Sequence, residues 1–133
     1  MRSLWAFHKF TVIFWNIYME FKNRVFIAAS IDGYIADKNG EIDWLNAIPN
    51  PEAVDMGYKA FMSETDAIIM GRKTFDTVCS FDIDWPYEKP VFVLSSSLKE
   101  IPSEYKDKAF LVSGSLSNVL DKIHKKGYHH LYV

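Results

Sequence analysis

IIMGRKTFD, residues 68–76, is the stretch on which the fold turns. Ile68, Ile69 and Met70 form a short apolar run, the pattern of a strand buried on both faces. Gly71 then leads directly into a segment whose Phe75, Val78 and Cys79 fall on one side of a helix. A strand that runs through one glycine into a helix leaves free backbone N–H groups and the positive end of the helix dipole at the junction. Arg72, Lys73 and Thr74 add two cations and a hydroxyl there, and Gly71 lets a ligand approach the backbone, so the junction suits a phosphate. It is not a Walker A loop, which requires glycine immediately before the lysine, where this chain has Arg72. A solvated helix start rich in basic residues would carry the same letters, and this stretch alone does not choose between the two.

Upstream, Arg24 to Ser30 (RVFIAAS) is another nearly continuous apolar run and predicts a strand in the centre of the sheet. Asp32 with Gly33, and Asp37 to Gly40, supply turns after it. Asn50 and Pro51 suit a helix start. Val54, Tyr58, Phe61 and Met62 then give the apolar stripe of a helix ending near Ser63. Downstream, Pro90 to Leu94, Ala109 to Val112 and Tyr128 to Val133 predict three further strands. Between the last two, Ser115 caps a helix bearing Leu116, Val119, Leu120 and Ile123, with Lys125 and Lys126 at its negative end and Gly127 after it. Strands alternating with helices predict an α/β fold of three layers, a mainly parallel central sheet flanked by helices.

The 133 residues, 49% hydrophobic and 24% charged, suit one globular domain. A net charge of -2 from interspersed acids and bases gives no field to collect nucleic acid or an anionic membrane. Cys79 is the single cysteine and no Cys/His cluster has metal-ligand spacing, which argues for a reducing, cytoplasmic setting without a structural metal. Residues 1–18 form an atypical aromatic extension, with Trp5, Phe7, Phe10, Phe14 and Trp15 among its members. His8, Lys9 and Asn16 interrupt it, leaving it short of the roughly 20 apolar residues of a membrane span. It also lacks the layout of a signal peptide. The domain proper is expected over 19–133, starting at Met19.

A second candidate feature is Leu94, Ser95, Ser96 and Ser97, hydroxyls at the carboxyl end of a strand, the edge at which open α/β sheets bind ligands. Taken with Ala28 to Ala36 (AASIDGYIA), Asp43 and Trp44, and Met70 to Phe75, in this order, the chain resembles the dihydrofolate reductase superfamily. The nearer branch is the reductase domain of bacterial riboflavin biosynthesis and its stand-alone relatives, whose first strand also runs into a Ser, apolar, Asp, Gly sequence. The resemblance covers residues 24–133 approximately.

That resemblance implies an NADPH-dependent reductase acting on a pterin-like or ribosylamino-pyrimidine small molecule. It implies that backbone groups of Ala28 and Ile35 place the nicotinamide and that Gly71, Arg72, Lys73 and Thr74 cradle phosphates. Leu94, Ser95 and Ser96 would line the cofactor, with Arg72 and Ser95 near the 2′-phosphate. A guanidinium and hydroxyl donors are also what a dianionic phosphate requires on chemical grounds. A homodimer is compatible with it.

Asp55 is the candidate acid of the substrate cleft. The helical pattern puts it three residues before Tyr58, at the border of the apolar stripe, where partial desolvation would raise its pKa. A favourable charge near a helix start is the competing reading. Its distance from Gly71 matches that of the acidic substrate-binding residue of dihydrofolate reductases. Trp44 is a candidate pocket wall, with a plain core or lid role as the competing reading, and Asp43 stands where folate enzymes tend to have proline. His124, His129 and His130 are expected at the surface. In the family the fifth strand is followed by paired glycines and further strands, so a chain ending at Val133 is expected to be incomplete at its C-terminus. A truncated, non-catalytic nucleotide-binding fragment is therefore the alternative function.

Overall fold

The computed structural model describes residues 20–133; the aromatic extension and the proposed start at Met19 lie outside these described residues. Five strands form one sheet in the order β1-β5-β2-β3-β4, every neighbouring pair parallel. They are β1 (Lys22–Arg24), β2 (Ala67–Gly71), β3 (Val91–Leu94), β4 (Ala109–Val112) and β5 (His130–Tyr132). The helices are α1 (Asp43–Asn46), α2 (Tyr58–Ser63), α3 (Arg72–Cys79) and α4 (Leu116–Lys125), with a 3-10 turn at Ser103–Tyr105.

The alternation along β2 builds three layers. Ile68 and Met70 point to one face, where they pack with Phe75 of α3, Val91, Val93, Ile101 and Ala109, and Met62 of α2 joins them. Ala67 and Ile69 point to the other, against Phe92, Leu131 and the Val119 and Ile123 stripe of α4. A parallel sheet covered on both faces buries its central strands completely, which is why β2 reads as an unbroken apolar run. Ser115 caps α4 as expected, its hydroxyl accepting from the Asn118 N–H, and Gly127 follows the helix in the left-handed region at φ 94°.

Two expectations are corrected. The central strand is β2, whereas Arg24 to Ser30 contributes only Arg24 to a strand, at one edge of the sheet. β5 offers register partners only from Lys22 to Arg24, so the chain beyond has no ladder to join. Val25 and Ile27 are exposed there, while Tyr132 anchors the stretch by donating its hydroxyl to the Phe26 carbonyl at 2.9 Å. The long helix after Asn50 is also absent. The Asn50 side chain binds both Val54 N–H and Val54 carbonyl, and Ala53 and Met56 adopt positive φ of 49° and 52°, which breaks helical geometry until Tyr58.

The three histidines are half-buried rather than at the surface. Phe21 covers two of them, its ring centroid 4.2 Å from His124 and 5.1 Å from His129. The turn into β5 is pinned by Asp66, which accepts from the backbone N–H of His129 and of His130, each at 2.8 Å. Burial pushes the Asp66 carboxyl up, but these two donors outweigh it and hold the group below its ordinary value. A carboxyl with a lowered folded-state pKa stabilises the fold above its unfolded value of about 3.9, and the contribution is lost as pH falls through the folded value. Asp66→Asn is thus expected to narrow the drop in melting temperature between neutral pH and about pH 3. Wild type and variant with the same acid-side drop would refute this.

Candidate functional site

Register places the two sequence features side by side. β2 and β3 are adjacent and parallel with Gly71 opposite Leu94, so the start of α3 and the serines after β3 share one end of the sheet. This is the carboxyl edge, where loops of an open α/β sheet leave a crevice. α3 has no side-chain cap and no acid in its first turn, which leaves its first N–H groups open to a ligand. Gly71 is extended, at φ -75° and ψ 162°, so no backbone strain demands glycine there. A Cβ at this position would meet nothing within 4 Å, and the space above the backbone is open.

Gly71, Arg72, Lys73, Thr74, Asp76 and Ser97 line a cavity of about 660 Å³. Within it, the Arg72 guanidinium donates from Nε to Asp76 Oδ2 at 3.2 Å and from Nη1 to Ser97 Oγ at 3.1 Å. Leu94, Ser95, Ser96 and Gly114 line a neighbouring cavity of about 350 Å³. Gly114 stands after β4 at φ 118°, a conformation that side chains disfavour. Ser95 is buried, and its hydroxyl accepts from the N–H of Ser97 at 3.2 Å and of Leu98 at 3.0 Å. It therefore shapes the turn, and the hydroxyl that meets Arg72 belongs to Ser97. The sequence reading included Ser97 among the strand-end hydroxyls, but the resemblance set Ser95 beside Arg72, and Asp76 was not singled out, although its i, i+4 spacing from Arg72 was a visible signal.

A third cavity, about 580 Å³, lies under the first loop and is lined by Ser30, Asp32, Tyr34, Ala36, Asp37, Lys38 and Trp44. The loop is closed by Ser30, whose hydroxyl donates to Asp32 Oδ1 at 2.6 Å and accepts from the Tyr34 N–H at 3.0 Å. Ala28 and Ile35 flank this turn, both exposed, and neither backbone takes part in its hydrogen bonds. Trp44, on α1, is among the residues lining it.

Asp55 is not brought into these three cavities. It precedes α2 rather than lying on it, and its carboxylate accepts from the N–H of Gly57 and of Lys59, both at 3.0 Å. Those two backbone donors, Lys59 first, hold its pKa below the ordinary value, opposite to the rise expected from a buried stripe. The reason is the broken helix, which leaves Asp55 in solvent. Among the described residues no group of three or more His, Cys, Asp or Glu could hold a metal ion. No helix among them is long and apolar enough to cross a membrane.

The model of the RibD C-terminal domain matches residues 22–133. Two proteins of Bacillus subtilis strain 168, both described as uncharacterized, are similar. YwjB is 37% identical over 90 residues, which is 67% of this chain and 48% of that protein. YyaP is 32% identical over 107 residues, 74% of this chain and 53% of that protein. The chain thus spans about half the length of these curated relatives. A crystal structure from Shewanella sp. PV-4, a protein provisionally assigned to riboflavin biosynthesis, superposes with a TM-score of 0.79 at 54% identity. That likeness covers 84% of this chain and 63% of the other.

Proposed function

The chain belongs to the RibD C-terminal domain family, a family of reductase type, and on that premise we propose that it is a reductase that uses NADPH in preference to NADH. The substrate class proposed is a pterin-like or ribosylamino-pyrimidine small molecule, reduced at a C=N or C=O carbon. The observation that carries the proposal is the uncapped start of α3 meeting Arg72 and a serine hydroxyl from the adjoining strand end. These donors fit the cofactor: open N–H groups and a cation at a helix start suit a pyrophosphate, and a guanidinium beside hydroxyls suits a 2′-phosphate.

When bound, the dihydronicotinamide supplies the hydride. The chain's own part is placement. Gly71, with the N–H groups of Arg72, Lys73 and Thr74, would hold phosphate oxygens, and Leu94, Ser95 and Ser96 would shape the wall beside them. The free backbone groups of Ala28 and Ile35 would orient the carboxamide, with Trp44 closing the pocket from the side. Asp55, kept ionised by its two backbone donors, offers a substrate a hydrogen-bond acceptor and a negative charge but no proton. Asp55→Asn should accordingly raise KM for the substrate more than it weakens NADPH binding. Equal effects on both would remove Asp55 from the substrate side.

The test of the proposal is thermal. NADPH should raise the melting temperature more than NADH at equal concentration, because a ligand that binds only the native state stabilises it more the tighter it binds. Equal shifts would count against the phosphate assignment. A second reading is nucleotide binding without turnover. Oxidation of NADPH in the presence of a folate or a ribosylamino-pyrimidine separates the two.

A further inference from the structure

We infer that residues 51–57 are a coil-to-helix switch, a segment that joins α2 as two added turns and in doing so releases the Asp55 carboxylate at the carboxyl edge of the sheet. The switch belongs to the chain itself and does not depend on which cofactor or substrate binds. The sequence of the segment favours a helix at every step. Asn50 is a good N-cap, Pro51 suits the first helical position, and Glu52 would complement the positive end of the dipole. Val54 with Tyr58 and Asp55 with Lys59 are i, i+4 pairs that support a helix from Pro51 to Ser63. The structure holds the segment as a coil against that preference. Ala53 and Met56 stand at φ 49° and 52°, the left-handed region that a Cβ disfavours, and Val54 and Met56 leave 47% and 72% of their surface in solvent. What opposes the helix is Asn50, whose Nδ2 donates to the Val54 carbonyl at 2.9 Å while its Oδ1 accepts from the Val54 N–H at 3.0 Å. Both bonds are exposed to water, so the clamp is a modest one.

The two states differ by an exchange of partners. In the helix the Asn50 oxygen moves back one residue, from the Val54 N–H to the Ala53 N–H, the third donor of a capped helix. The Gly57 and Lys59 N–H groups now bind the Asp55 carboxylate, each at 3.0 Å. In the helix they bond the carbonyls four residues earlier, those of Ala53 and Asp55. Both donors keep a partner, and the carboxylate loses two. Gly57, at φ 88°, is the hinge, because glycine adopts that conformation without a steric penalty and also tolerates the helix.

Direction gives the switch its consequence. The Arg24 guanidinium lies over Phe61 at 5.1 Å and the Phe26 ring meets Tyr58 at 5.3 Å, so α2 runs antiparallel to β1 with its start toward the carboxyl edge. Residues 51–57, at 1.5 Å each, lengthen it by about 10 Å in that direction. The added turns lie along the edge where the α3 start and the cavity under the first loop open. A ligand that donates to Asp55 there favours the helical state, because only in that state is the carboxylate free of its backbone donors.

The experiment is nuclear magnetic resonance of the full chain without ligand, in which the Cα chemical shifts of residues 51–57 report the ratio of helix to coil. Gly57→Ala should raise that ratio by at least about five-fold, the difference between glycine and alanine in a helix interior. Asn50→Asp keeps the cap acceptor but has no N–H for the Val54 carbonyl, so it should raise the ratio further in the double variant. Among the described residues the Asp55 and Met56 N–H groups make no hydrogen bond, and in the double variant both should gain protection from exchange. The Asp55 carboxyl, now held below its ordinary value by the N–H groups of Lys59 and Gly57, should titrate higher there. Met56→Gly, which relieves the coil, should shift the ratio back. If the double variant keeps coil shifts over 51–57, whether or not its melting temperature falls, the segment is a fixed loop and the switch is refuted. Helical shifts with an unchanged Asp55 titration would overturn the release of the carboxylate.

Discussion

Replacing Arg72 by alanine is expected to remove most of the preference for NADPH over NADH and to leave NADH binding nearly unchanged. Hydrogen bonds to a charged group contribute about 1.5–3 kcal/mol each, and every 1.4 kcal/mol is a factor of ten in affinity. Arg72 is half-exposed and already donates to Asp76 and Ser97, so the lower end applies, a loss of about ten-fold for NADPH. The fold itself should barely register the change. Among the described residues the only ion pair lost is the exposed one with Asp76, and such pairs contribute about 0–1 kcal/mol. Melting temperatures with and without each dinucleotide check this in one series. A variant that loses stability without ligand but keeps the NADPH preference would show that Arg72 braces α3 and does not bind phosphate.

Most of the sheet was legible in the sequence, for a physical reason. β2, β3 and β4 and the helices α3 and α4 take their form from local pattern and from burial on both faces, and the two agree residue by residue: Ile68 and Met70 to one side, Ala67 and Ile69 to the other. The errors fell where partners decide. RVFIAAS has the composition of a central strand, yet a strand exists only where a neighbour supplies its ladder, and β5 supplies one only as far as Arg24. Likewise Val54, Tyr58, Phe61 and Met62 have helical spacing, but spacing says nothing of the Asn50 side chain capturing the Val54 backbone.

The candidate site divides along the same line. The α3 start was legible because strand, glycine and basic helix turn are contiguous, and the register of Gly71 with Leu94 then joined them to the serines. Which serine meets Arg72 was not legible, since Ser95, Ser96 and Ser97 are identical in type and differ only in burial and in the hydrogen bonds of a turn. The direction of the Asp55 pKa shift was not legible for a similar reason. Its chemistry suited a cleft acid, but its surroundings made it the acceptor of two backbone N–H groups in solvent.

The largest stability effect is expected from Phe75→Ala. Phe75 is 1% exposed and projects from the first half of α3 onto the sheet, among Ile68, Met70, Val91 and Val93. Its ring centroid lies 6.2 Å from that of Trp85 and 6.0 Å from that of Tyr105, both edge-on. Removing a buried phenyl costs its transfer free energy and leaves a cavity that rigid neighbours refill only in part, typically about 3–5 kcal/mol. A domain is stable by only about 5–15 kcal/mol, so the variant should lose a large fraction of its folded margin. Phe110→Ala is the matched control. Phe110 is 42% exposed on the edge strand β4, where its truncation should cost well under half as much. The consequence reaches the site, because Phe75 sits three residues after Arg72 and ties the first turn of α3 to β2 and β3. Loosening it should weaken NADPH and NADH together, unlike Arg72→Ala, which separates them. Denaturant titration of the two variants decides: a loss below about 1 kcal/mol for Phe75→Ala would mean that α3 is not seated on this face of the sheet.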